Sequence, residues 1–104
     1  MSDTINVLGI PYKVIEVSDL MGREDKWGET VVTHQEIKIW KEASPEEKQM
    51  TLLHEILHAL DYAMRIFDFL DESDKERTIV QLTTGLYAVL PELLRFFEKW
   101  KKEG

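Results

Sequence analysis

The sequence predicts an α+β fold, in which a small N-terminal antiparallel or mixed sheet of about three to four strands precedes a helical half. Short runs of β-branched and aromatic residues fill the first part of the chain, as strands require. These runs lie at residues 5–17, 27–33 and 36–40. The second part contains two helix start signals, at residues 44–47 and 73–76. This order of strands followed by helices is typical of an α+β domain.

The N-terminal runs predict individual strands and turns. Residues 5–17 hold two β-rich stretches around Gly9, which favours a hairpin or a bent strand. Residues 19–26 are polar, and we expect a loop there. Residues 33–35 are the predicted turn between two further strands, the second of which runs from about Glu36 to Trp40.

The first predicted helix has a complete set of start signals. Ser44 can cap it, and Pro45 suits the first helical position. Glu47 completes a capping box with Ser44. The helix is expected to run to about Phe67.

A second capping box, formed by Ser73 and Glu76, predicts a second helix that reaches Leu90. Pro91 is expected to kink this helix or to begin a third helical segment. Aromatic residues recur at helical spacing near the C-terminus and are expected to cap the core. They are Phe96, Phe97 and Trp100.

Composition narrows the classes of protein to consider. The 104 residues are enough for one domain, so residues 1–104 are expected to form a single domain. The net charge of −7 argues against nucleic acid as a partner. No apolar run is long enough to span a membrane, and no signal peptide is visible, so we expect no membrane association. The absence of cysteine excludes disulfides and thiolate metal sites, and is compatible with a cytoplasmic location.

The most informative segment is the HExxH motif that begins at His54. His54 and His58 are four residues apart, so on a helix they lie one turn apart on the same face. Two imidazoles at that separation can bind one zinc ion. The carboxylate of Glu55, next to His54, can take a proton from a water molecule that attacks a carbonyl. The motif therefore predicts a Zn²⁺ site with Glu55 as the general base.

A catalytic zinc site usually has a third protein ligand, and acidic residues at the start of the second helix are the candidates. We favour Glu76, which is placed to face the first helix if the neighbouring apolar stripe packs inward. Its position in the predicted capping box is an alternative explanation for a glutamate there. Glu72 is the main rival ligand.

Around this motif the sequence resembles the minimal gluzincins, single-domain metallopeptidases of about a hundred residues, and the short ImmA/IrrE-type metallopeptidases. The specific part of the resemblance is Thr51-Leu52-Leu53-His54-Glu55-Ile56-Leu57-His58-Ala59. Its looser parts are residues 27–29, 36–39 and 76–90. The resemblance covers residues 5–100 approximately.

The resemblance implies a zincin-like domain that acts as a zinc metalloendopeptidase of the gluzincin type on a peptide or protein substrate. In such an enzyme, zinc would be bound by His54, His58 and a glutamate on the following helix, a position that matches Glu76. Glu55 would be the general base. The expected reaction is hydrolysis of a peptide bond by a metal-activated water.

The resemblance also implies features around the cleft. The last strand of the sheet, here about Glu36 to Trp40, would form the upper edge of the cleft, along which an extended peptide could pair. Latent, zymogenic relatives have a chain terminus that covers the cleft. Residues 1–4 or 100–104 are the segments that could do so here.

Four further side chains have candidate roles at the site. Asp61 could accept a hydrogen bond from a ligand imidazole, although a solvated helix residue is the commoner outcome. Tyr62 or Tyr87 could donate to a developing oxyanion, although packing is the commoner role of such tyrosines. His34 lies in a predicted turn and could reach a substrate from the rim, but a surface histidine is the default.

Two other functions remain open at the level of sequence. The chain could be a non-catalytic regulatory or binding protein on a zincin scaffold, with a structural or self-blocked zinc site. This alternative draws on the short chain, which leaves little room for specificity pockets. A weaker alternative is a structural domain without a metal.

Overall fold

Four strands and then two long helices follow one another in the computed structural model, which describes residues 3–18 and 27–104. The elements are β1 (Thr4–Val7), β2 (Ile10–Val17), β3 (Gly28–Val31), β4 (Glu36–Trp40), α1 (Pro45–Met64) and α2 (Glu72–Glu103). The predicted α+β fold with a small mixed sheet is confirmed. The predicted loop at residues 19–26 lies outside the described residues.

The chain begins with the predicted hairpin. β1 pairs antiparallel with β2, and Leu8 and Gly9 turn the chain with φ angles of 54° and 87°. Positive φ at both central residues is characteristic of a type I′ turn, whose backbone twist matches that of the two strands it connects. Glycine adopts this angle without strain, and the side chain of Asn6 accepts a 2.7 Å hydrogen bond from the Gly9 N–H.

The sheet has the strand order β1-β2-β4-β3, with a parallel pair, β2 and β4, at its centre. The implied position of β4 at the upper edge of the cleft is therefore wrong, because β4 is paired on both sides. β3 is the last strand of the described sheet on that side. β3 and β4 are joined by a turn at residues 32–35, which begins one residue before the predicted one and in which Gln35 has a φ of 53°.

The core lies between the sheet and α1. Its buried side chains are Val7, Tyr12, Ile37, Ile39 and Ala59. Ile37 and Ile39 point to one face of β4, as their alternation with Lys38 predicts. Burial raises the pKa of the Tyr12 hydroxyl, because the charged form would lose its hydration.

Helix α1 starts as predicted. The Ser44 hydroxyl accepts a hydrogen bond from the Glu47 N–H, and the Glu47 carboxylate accepts one from the Ser44 N–H. The helix ends at Met64 rather than near Phe67, because Arg65 adopts a left-handed conformation with a φ of 57°. The N–H of Arg65 donates to the Asp61 carbonyl, which closes the last turn.

Helix α2 starts two residues earlier than predicted. Asp71, not Ser73, is its N-cap, and the Asp71 side chain accepts a 2.8 Å hydrogen bond from the Asp74 N–H. The earlier start lengthens the helix by two residues, and the Lys75 N–H donates to the Asp71 carbonyl in its first turn. The capping role predicted for Glu76 is therefore wrong, and its carboxylate is available for other contacts.

Helix α2 also continues without a break through Pro91 to Glu103, so the predicted C-terminal helical segment is part of the same helix. The prediction that Phe96, Phe97 and Trp100 cap the core is wrong, since all three are exposed. At 1.5 Å per residue, α2 is about 48 Å long and α1 about 30 Å, so α2 extends beyond the element that it packs against. Neither helix is long and apolar enough to cross a membrane.

Candidate metal centre

Helix α1 presents its two motif histidines to each other. The Nε2 atoms of His54 and His58 are 3.2 Å apart, and the ring centroids are 4.8 Å apart. One helical turn separates the two residues, so the helical backbone places their side chains next to each other. Both rings are partly exposed, with 20% and 30% of their side-chain surface accessible.

The carboxylate of Glu76 reaches both imidazoles from α2. Oε1 of Glu76 lies 3.0 Å from Nε2 of His54, and Oε2 lies 2.9 Å from Nε2 of His58. Among the described residues, these three form the group of side chains that could hold a metal ion. The rival Glu72 is not part of it, because its side chain is 93% exposed and lies 3.8 Å from the ammonium of Lys75.

The three side chains suit zinc in chemistry and in spacing. Two imidazole nitrogens and one carboxylate are the ligands of many catalytic zinc sites. Tetrahedral bonds of about 2.0–2.2 Å place ligand atoms about 3.3–3.6 Å apart. The observed separations of 2.9–3.2 Å need only a small outward shift to reach this range. Because the side chain of Glu76 is 53% exposed, solvent has access to the group from one side.

The carboxylate of Glu55 is held by a hydroxyl from the sheet. Glu55 is only 6% exposed and lines the same cleft as the two histidines. The Thr30 hydroxyl lies 2.7 Å from Oε1 of Glu55 and 3.0 Å from its main-chain oxygen, and it can donate to either one. Sequence reasoning missed Thr30, because 25 residues separate it from Glu55.

Gly28 lets β3 approach α1 closely enough for this contact. A Cβ atom at Gly28 would lie 2.5 Å from Cγ2 of Thr51 and 3.2 Å from Cγ of Glu55. Gly28 and Thr30 are two residues apart on one strand, so they point to the same face. The sequence signal for a close approach of this strand to another element was therefore a glycine two positions before a threonine.

One cleft of about 1180 Å³ surrounds the group. β3 contributes Gly28, Glu29 and Thr30 to its lining, and α2 contributes Glu76 and Thr83 among others. Neither Thr4 nor residues 100–104 line it. The predicted latency through a chain terminus stays a prediction.

Asp61 and Tyr87 have structural contacts in place of the roles considered for them at the site. The Asp61 carboxylate accepts a 2.8 Å hydrogen bond from the Phe67 N–H and lies 3.4 Å from the Lys75 ammonium. It therefore fixes the turn between the helices. The Tyr87 hydroxyl donates to the side chain of Gln49, which joins α2 to α1.

Tyr62 and His34 differ in their position relative to the cleft. Tyr62 is 65% exposed and lines it, so a role toward a substrate stays a prediction. His34 does not line it. It lies in the exposed turn, where its Nδ1 is 3.2 Å from the Thr33 hydroxyl.

No protein-family model, curated protein or solved structure matches the chain. The resemblance to minimal gluzincins therefore depends on the residues themselves, above all the segment from His54 to His58. Since a fold supports many functions, the function must be argued from the site.

Proposed function

We propose that the chain is a zinc-dependent metalloendopeptidase. The observation that carries this proposal is the convergence of His54, His58 and Glu76 beside the buried carboxylate of Glu55 in one open cleft. A structural zinc site usually has four protein ligands and is closed, whereas a catalytic one keeps a position for water or substrate. Three donors with a solvent-accessible side favour the catalytic type.

In the proposed reaction, the metal ion and Glu55 have different roles. A zinc ion held by His54, His58 and Glu76 would supply Lewis acidity, which would polarise a carbonyl oxygen and make a water molecule at the site more acidic. Glu55 takes the proton from the water that attacks the peptide carbonyl. It then delivers that proton to the leaving amine nitrogen, so the carboxylate is regenerated at the end of the cycle.

Thr30 supports the role of Glu55 by fixing one of its oxygens. A hydrogen bond to Oε1 limits rotation of the carboxylate. The hydroxyl thus holds the base in place before a substrate arrives.

The substrate class follows from the strand beside the cleft. β3 pairs with β4 on one side only within the described sheet, and it lies along the cleft wall. An extended peptide can add to such an edge through main-chain hydrogen bonds, which are independent of its sequence. Polypeptide segments in an extended conformation are therefore the proposed substrates.

The test is a comparison of Glu55→Gln with the original chain. Both should bind one zinc ion, measured by elemental analysis after dialysis, because Glu55 is not a ligand. The original chain should cleave members of a fluorogenic peptide library, and Glu55→Gln should lower kcat by about 10²–10⁴-fold. Glu46→Gln, which removes a carboxylate from the exposed first turn of α1, is the matched control and should retain activity.

Two results would contradict the proposal. Retained cleavage in Glu55→Gln would remove Glu55 from the mechanism. No cleavage by a fully zinc-loaded chain, with or without residues 100–104, would favour a binding or regulatory protein. Activity that appears only after removal of residues 100–104 would instead support the predicted latency.

A further inference from the structure

One row of apolar side chains runs along almost the whole of α2. Its members are spaced alternately by three and four residues: Ile79, Leu82, Leu86, Val89, Leu93, Phe96 and Trp100. We call this row the α2 seam. Ile79 is fully buried in the core of the domain, whereas the other six members are 38–59% exposed.

The spacing of the α2 seam suits a second helix. Apolar residues that repeat every 3.5 positions are the pattern of a coiled coil, in which each side chain fits between side chains of the facing helix. Pro91 occupies the position opposite the seam, so the residue least suited to a helix lies away from the contact face.

Nothing among the described residues covers the exposed part of the α2 seam. Every residue from 91 to 104 is exposed, and α1 packs against the first half of α2. Within residues 3–18 and 27–104, the aromatic members pack on each other: the Phe96 and Trp100 ring centroids are 5.6 Å apart. A monomer would therefore leave a continuous apolar stripe in water, which marks an interaction site.

We propose that the α2 seam pairs antiparallel with the same seam of a second copy of this chain, so that the protein is a homodimer. Centred near Pro91, this pairing places Val89 opposite the partner's Leu93 and Leu86 opposite the partner's Phe96. It leaves Ile79 in the core of its own domain. It requires neither a metal nor a substrate, so it is independent of the proposed enzymatic activity.

Charge favours the antiparallel orientation. Residues 92–103 carry four basic and three acidic side chains, whereas the whole chain has a net charge of −7. The tip of α2 is therefore basic and the remainder of the chain is strongly acidic. Antiparallel pairing keeps the two acidic bodies at opposite ends of the paired helices, while parallel pairing would place body against body.

The area of the seam is sufficient for a stable dimer. Leu90 and Phe97 flank it and are 38% and 51% exposed. Aromatic side chains bury about 150–250 Å² each and aliphatic ones less, so roughly 100 Å² from each of eight side chains gives roughly 800 Å² per copy. This value matches the area that each partner contributes to a standard specific interface, which is about 800 Å².

Sedimentation equilibrium of the full chain tests the dimer. We expect twice the chain mass at concentrations on the order of 10 µM and above. Val89→Glu places a charge in the seam and should raise the dimer Kd by at least about 100-fold. Ala88→Glu is the matched control, because it introduces the same side chain at the neighbouring exposed position, off the seam, and should leave the Kd nearly unchanged.

Far-UV circular dichroism of each variant shows whether α2 still forms. A monomer at every concentration up to on the order of 100 µM would overturn the proposal. An equal rise in the dimer Kd of Val89→Glu and Ala88→Glu, with helix content retained in both, would also overturn it. The interface would then not be formed by the α2 seam.

Cysteine cross-linking tests the orientation, and the chain has no native cysteine to interfere. In the antiparallel dimer, the cysteine of Glu92→Cys lies near the same cysteine of the partner. The two cysteines of a Glu103→Cys dimer are about 36 Å apart. A short bismaleimide reagent should therefore link Glu92→Cys into dimers and leave Glu103→Cys unlinked. The reverse pattern would overturn the antiparallel pairing.

Discussion

The hydroxyl oxygen of Thr30 lies 2.7 Å from Oε1 of Glu55, and this hydrogen bond joins the edge strand β3 to the motif helix α1. The contact connects the sheet to the proposed general base. A charge-assisted hydrogen bond of this kind is short and directional, so it fixes the carboxylate more firmly than packing alone. The catalytic competence of Glu55 should therefore depend on a residue outside the motif.

Replacement of Thr30 tests this dependence. Thr30→Val keeps the shape of the side chain but removes the hydroxyl, and it should lower kcat by about 10-fold while KM changes little. Thr30→Ser restores the hydroxyl and should recover most of the activity. Steady-state kinetics with one fluorogenic peptide measures both parameters. A Thr30→Val enzyme with unchanged kcat would show that the hydrogen bond has no positioning role.

The metal affinity should depend on Glu76 and not on its rival. Glu76→Gln should weaken zinc binding by at least about 100-fold, because it removes the charged ligand that contacts both histidines. Glu72→Gln removes an equal charge from an exposed position and should have little effect. Competition with a chromogenic zinc chelator measures both constants. Equal weakening by the two changes would indicate a general effect of charge.

Two glycine substitutions should change stability in opposite directions. At Gly28 an added Cβ would meet Thr51 and the Lys38 carbonyl, so Gly28→Ala should lower the free energy of unfolding by about 1–3 kcal/mol. At Gly85, inside α2, a Cβ would meet nothing within 4 Å. Gly85→Ala should therefore raise stability by about 1 kcal/mol. Urea unfolding measures both, and destabilisation by both changes would contradict the reasoning.

The ion pair between Glu16 on β2 and Lys48 on α1 should make stability pH-dependent. Lys48 lowers the pKa of Glu16 below its ordinary 4.5, through a 2.6 Å hydrogen bond and its charge. A lowered folded-state pKa means that stabilisation is present above the unfolded value and is lost as pH falls through the folded value. Between pH 6 and pH 3 the free energy of unfolding should therefore fall less in Lys48→Gln than in the original chain, as measured by urea unfolding. An unchanged pH dependence would show that other carboxylates dominate.

The sequence predicted best what depends on near neighbours. His54 and His58 face each other because one helical turn separates them, and the Ser44 capping box formed as expected for the same local reason. The boundary at Ser73 was wrong because Asp71, an equally good cap, lies two residues earlier and allows a longer helix. The residues next to Asp71 and Ser73 do not indicate which of the two caps the helix.

Features that depend on distant parts of the chain were not predictable. The contact of Thr30 with Glu55 arises only when β3 lies across α1, and the glycine at position 28 permits this close approach without identifying the helix that β3 meets. The periodicity near the C-terminus correctly marked an apolar helical face. It could not reveal that α2 carries Phe96 and Trp100 beyond the domain core, because a pattern identifies a face and not the surface that covers it.

The parallel pair at the centre of the sheet has a consequence for folding. Each of the two hairpins, β1-β2 and β3-β4, joins neighbouring segments and can form on a timescale of about 1–10 µs. The contact between β2 and β4 closes a longer loop and is expected to set the folding rate. Since Thr30 belongs to the second hairpin, the proposed base gains its hydroxyl partner only after that hairpin has packed against α1.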